Sequence, residues 1–118
     1  MDSKISNKIS GTFISKLILN YFEIKDVSTK DGIIYIDLYE KNIPPEEYSN
    51  MKLKPVGYLN SSVIHDFPIR EKVVFLKIHR RKWFLEDEKK YIQRDWNLTF
   101  KGTKLTEEFG SFLKDGNR

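Results

Sequence analysis

The stretch KVVFLKIHRRKWF, Lys72 to Phe84, decides how the rest of this chain is read. In an extended conformation Val74, Leu76 and Ile78 fall on one side, with Arg80 following them, and Val73, Phe75, Lys77, His79 and Arg81 fall on the other. The alternation predicts one strand over 72–84, apolar in its first half and basic toward its end. Between Arg70 and Lys82 stand six Lys or Arg and one Glu, a local balance of +5, whereas the remaining residues hold 15 basic and 16 acidic side chains, a balance of −1. A basic patch on a near-neutral body suits phosphate binding, and charge that protects a strand edge from self-pairing gives the same count.

Working outward, MKLKPVGYLN (51–60), SVIHDFPI (62–69) and KKYIQRDWNLTF (89–100) are also rich in β-branched and aromatic residues. Polar breaks at Asn60-Ser61-Ser62, Pro68 to Glu71 and Glu86 to Glu88 separate them, and together they predict a small antiparallel sheet. Upstream, FEIKDVSTKDGIIYIDLYEK (22–41) has two strand-like runs joined by Asp31-Gly32, a pair that tolerates the positive φ values of a two-residue hairpin turn. Asn42-Ile43-Pro44-Pro45 cannot continue a strand, because the prolines remove two amide donors. It marks a seam between an N-terminal part, 1–43, and a basic sheet part, 44–118, that form one compact domain.

Ile9, Phe13, Ile14, Leu17, Ile18 and Tyr21 recur at helical spacing and predict an amphipathic helix over 6–21. At the other end Thr106 suits an N-cap, Glu107 and Glu108 suit the first turn, and Gly116 suits the stop of a short helix. Phe109, Phe112 and Leu113 would turn toward the core. The expected class is α+β: N-terminal helix, β-hairpin, small antiparallel sheet and short C-terminal helix.

With 39% hydrophobic and 14% aromatic residues among 118, the chain has the composition of a folded protein. It has no cysteine, which removes disulfides and thiolate metal sites and fits a reducing compartment. The apolar run near the start is interrupted by Lys16 and Asn20, so neither a signal peptide nor a membrane span is expected. Catalysis finds little support. The two histidines are His65 and His79, no serine stands in a Gly-x-Ser-x-Gly elbow, and the six glycines form no phosphate-cradling loop. His65 reads as an ordinary strand-end residue, and no metal or other cofactor is expected. Trp83 reads either as one half of a cross-strand core pair with Trp96 or as a flat surface for a base or sugar.

The residues HDFPIREKVVFLKIHRRKW, followed by RDWNLTFKGTKLTEEFGSFLK, resemble the N-terminal region of bacterial insertion-sequence transposases of the DDE type. In cysteine-bearing relatives of that family a turn like Asp66-Phe67-Pro68-Ile69-Arg70 leads into a strand ending like Arg80-Arg81-Lys82-Trp83, and a Cys-x-x-Cys knuckle follows. Here FLEDEKKYIQRDW stands in the knuckle's place, so the resemblance implies a metal-free, zinc-ribbon-like sheet held by its core. It covers about Ile64 to Lys114, and none of the family's catalytic acids can be placed on it. What it implies is a non-catalytic, cytoplasmic, nucleoid-associated domain that binds duplex DNA at an element's terminal inverted repeats. The contacts would come from Arg70, Lys72, Lys77, His79, Arg80, Arg81, Lys82 and Trp83, with the catalytic transposase subunit or a second copy as further partner. The alternatives are a protein-interaction domain for transposase assembly and an inert gene fragment.

Overall fold

A computed structural model describes residues 16–99 and 103–116. Helix α1 (Lys16–Tyr21) runs directly into strand β1 (Phe22–Lys30), and β2 (Ile33–Glu40) follows. After a 3-10 turn at Glu46–Tyr48 come β3 (Leu53–Tyr58), β4 (Ser62–Ile69), β5 (Lys72–His79), β6 (Arg81–Leu85), β7 (Lys90–Gln93) and helix α2 (Glu107–Gly116). The class is α+β, as the sequence pattern requires. The strands form two sheets: a larger one in the order β1-β2-β5-β4 and a smaller antiparallel one in the order β3-β6-β7.

The β1–β2 hairpin turns at Asp31 and Gly32, whose φ values of 53° and 77° are those a two-residue primed turn demands. The hairpin then joins the rest of the chain through a pairing that sequence spacing did not indicate. β2 lies parallel to β5, from Ile33 opposite Val73 to Tyr39 opposite His79. The larger sheet is therefore mixed, and the connection across the Asn42–Pro45 seam is a crossover that carries β3 and β4. Asp66 to Ile69 belong to β4, not to a turn. The register slips between Asp66 and Ile69, where Pro68 has no amide hydrogen to donate, and the turn itself falls at Arg70 and Glu71, with φ of 49° and 67°.

Ile36, Leu38, Val74, Leu76, Ile78 and Ile64 point to the inner face of the larger sheet, and Ile18 and Phe22 close over them. Trp96 and Leu98 complete this core from the segment after β7. Trp83, Leu85 and Ile92 make a second core in the smaller sheet, against Tyr48 and Leu53. The two tryptophans therefore do not pair; each serves its own sheet. Two helical expectations need correction. Leu17 is 49% exposed, because α1 meets the sheet through Ile18, half-buried Leu19 and Tyr21. Ile9, Phe13 and Ile14 lie outside the described residues.

Of the three apolar side chains of α2 expected to face the core, Phe109 is buried, while Phe112 is 59% and Leu113 37% exposed. The helix meets the outer side of β4 through the rings of Phe109 and Phe112, and Phe112 meets the Phe67 ring at 5.4 Å. Its N-terminus is anchored as the sequence predicts. Thr106 Oγ1 accepts the Phe109 N–H at 3.3 Å and donates to buried Asp66 Oδ1 at 2.7 Å. The Thr106 N–H donates to the His65 carbonyl, and the His65 N–H to the Lys104 carbonyl, both at 2.8 Å. Thr106→Ala is expected to cost about 1–2 kcal/mol by urea denaturation, with Thr106→Ser recovering most of it, since the hydroxyl both caps the helix and satisfies a buried carboxylate. Equal losses in the two variants would show that the hydroxyl does neither.

Candidate nucleic-acid interface

The stretch that predicts one strand is divided in two. β5 stops at His79, and β6 starts at Arg81 in the other sheet, with Arg80 as the connecting residue. The cause is the end of β2. Glu40 is 2% exposed, and its Oε1 accepts the Arg81 backbone N–H at 2.9 Å, a donor that an unbroken strand would use for its neighbour. Arg81 Nε also donates to the Glu40 carbonyl at 3.2 Å and Arg81 Nη2 to Tyr58 Oη at 2.7 Å. Arg80 in turn accepts the Leu59 N–H at 2.8 Å through its carbonyl.

Arg94 reaches the same joint. Its Nη2 donates to the carbonyls of Ile43 and Pro44 at 2.7 and 2.9 Å, its Nε stands 3.8 Å from Glu40 Oε2, and its guanidinium lies 4.6 Å from the Tyr21 ring centre. Burial raises the Glu40 carboxyl above its ordinary value of 4.5, opposed by the Arg81 N–H, the Trp96 indole N–H and the charges of Arg94 and Arg81.

These contacts sort the expected DNA ligands. Arg81 is consumed by the joint between the sheets. Trp83 is fully buried, and its Nε1 donates to Asn42 Oδ1 at 2.8 Å, so it offers no face to a base. His79 lies stacked on Tyr39, centroids 3.9 Å apart and planes 4° from parallel, with Nε2 3.6 Å from Asp37 Oδ1. Lys82 lies over the Tyr91 ring at 4.8 Å. Arg70 and Lys72 are exposed at the start of β5, Lys77 is exposed in its middle, and Arg80 is half-buried at its end. Among the described residues, none of these last four side chains pairs with a carboxylate.

On the outer face of the larger sheet, register places Asp37 between Asp26 on β1 and Lys77 on β5, with Val63 beyond Lys77. Glu23 on β1 pairs with Lys25 at 3.4 Å. Where the sheet ends, a cleft of about 270 Å³ opens between the start of β4, the end of β5 and the segment after β7. Arg80, Lys104, Ser62, Thr99 and Thr103 stand around Ile78, Trp96 and Leu98, and no carboxylate among the described residues lines it. Lys104 was not among the expected ligands. It enters the site because residues 104–106 bond along β4, a pairing between positions forty residues apart that leaves no local signal.

Among the described residues no group of three or more His, Cys, Asp or Glu could hold a metal ion, and no helix is long and apolar enough to cross a membrane. Fold and site together define a small two-sheet α+β protein whose cations along β5 have no carboxylate partner among the described residues. No family model, curated protein or solved structure matches the chain.

Proposed function

We propose that this chain is a non-catalytic DNA-binding domain that holds the phosphate backbone along β5. The observation that carries the reading is that Arg70, Lys72, Lys77 and Arg80 follow one strand without carboxylate partners, and that Lys104 joins them at its far end. From Lys72 to Arg80 the strand spans about 26 Å at about 3.3 Å per residue, too far to converge on one phosphate, and alternation sets Lys77 on the opposite side of β5 from Lys72 and Arg80. The resemblance of 64–114 supplies the context: the N-terminal region of an insertion-sequence transposase, bound to terminal inverted repeats and working with a catalytic subunit.

Duplex DNA binding is expected to weaken with salt, with a slope of log K against log salt of about −4.5 if all five cations contact phosphates. Replacing Arg70, Lys72 and Lys77 together by Gln is expected to reduce that slope by about 3. Absence of binding at low salt, or a slope that the triple substitution leaves unmoved, refutes the reading. A second reading, a subunit-joining domain, is favoured by the exposure of Tyr35, Val63 and Val73 on the outer face of the larger sheet. It requires concentration-dependent association without DNA that survives reversal of the charge at Arg80.

A further inference from the structure

The cleft at the end of the larger sheet differs from the open face of β5 in one respect: it combines charge with an apolar floor. Arg80 and Lys104 supply two cations with no carboxylate partner among the described residues, and Ser62, Thr99 and Thr103 supply hydroxyl groups. Ile78, Leu98 and Trp96 also line the cleft, and the indole packs against the rings of Tyr21 and Phe22 at 5.2 and 5.1 Å, with the Arg94 guanidinium 5.6 Å from its centre. A site for a bare anion has no use for the indole, and a site for an apolar ligand has no use for two unpaired cations.

At about 270 Å³ the cleft lies just below the range of about 300–1,000 Å³ of small-molecule sites, too small for a dinucleotide. We infer that the cleft takes a single nucleoside 5′-monophosphate unit, its phosphate between Arg80 and Lys104 and its base or sugar against Trp96 and Leu98. The hydroxyl groups serve the sugar and the phosphate oxygens alike. This deepens the DNA-binding reading and rests on it for the source of the ligand: an unpaired nucleotide at the end of, or extruded from, the duplex tracked by β5. Backbone contacts along β5 then set position, and the cleft marks where pairing ends.

Trp96 makes the inference measurable, because it lines the cleft while Trp83 is fully buried. Titration of the full chain with thymidine 5′-monophosphate is expected to change tryptophan emission saturably. Thymidine and inorganic phosphate, each lacking half of the ligand, should bind at least about ten-fold more weakly. Arg80→Gln and, independently, the exposed Lys104→Gln should each weaken the nucleotide by about ten-fold or more with unchanged melting curves, since a charge-assisted bond to phosphate is lost. The Arg70, Lys72 and Lys77 triple Gln variant should bind the nucleotide as the native chain does.

Duplex binding without saturable nucleotide binding, or equal affinity for phosphate and nucleotide, overturns the cleft assignment and leaves the DNA reading standing. Nucleotide binding that Arg80→Gln and Lys104→Gln do not weaken also overturns it. Nucleotide binding that both substitutions weaken, in a chain that ignores duplex DNA, upholds the cleft and removes the DNA reading.

Discussion

Trp83→Ala is expected to lower the unfolding free energy by about 3–5 kcal/mol, a large share of the total stability of a domain this size. The smaller sheet has a core of only Trp83, Leu85 and Ile92, and Trp83 is the largest of them and wholly buried. Truncation leaves a cavity that three short strands cannot close, and it strands the Asn42 Oδ1 that the indole N–H now satisfies at 2.8 Å. Urea denaturation gives the total, and amide exchange locates it. The amides of β3, β6 and β7 should lose protection first, with β2 and β5 following only at global unfolding, since the larger sheet has its own core in Leu38, Leu76 and Ile78. A loss below about 1 kcal/mol would mean that Trp83 is not what holds the smaller sheet together.

Arg94→Ala is expected to cost about 3 kcal/mol at neutral pH, and its penalty should depend on pH in a defined direction. The substitution removes the cation beside Glu40, two bonds to the Ile43 and Pro44 carbonyls and the stacking on Tyr21, leaving a carboxylate that is 2% exposed. Burial already raises that carboxyl above its ordinary value of 4.5. In the window above 4.5 the folded state therefore binds more protons than the unfolded state, and Glu40's contribution to stability falls as pH rises through its folded value. Without Arg94 the window widens and the fall deepens, whereas Glu40→Gln removes it. Stability profiles measured by urea from acid to neutral pH check this. If native and Glu40→Gln profiles run parallel across the window, Glu40 is not the titrating group.

The local signals of this chain are strong where one residue's chemistry fixes one backbone conformation. Asp31-Gly32 demands the hairpin, Thr106 caps α2, and the alternation of Val74, Leu76 and Ile78 matches the buried side of β5. They are weak where two solutions share one pattern. A run of alternating residues from 72 to 84 is compatible with one long strand or with two strands in different sheets, and periodicity cannot tell them apart. The choice is made by Glu40, 41 residues before Arg81, whose buried carboxylate takes the Arg81 N–H. The same holds for the basic cluster. Arg80 and Arg81 are adjacent and chemically alike, yet one is bonded into the sheet junction and the other lines an open cleft.

By itself, then, the amino-acid order determined that this chain folds as α+β, where its hairpin turns, which side of β5 is buried and that its positive charge gathers between Arg70 and Lys82. Each of these follows from neighbours within a few residues, where sterics, capping and alternation act directly. Only the tertiary structure decided that β2 lies parallel to β5, that the strands divide into two sheets at Arg80, that Trp83 and Trp96 serve separate cores, and that Lys104 and Arg80 line one cleft. Those outcomes depend on which distant groups can satisfy a buried carboxylate or cover an apolar face, a requirement set by the whole molecule rather than by any one stretch of it.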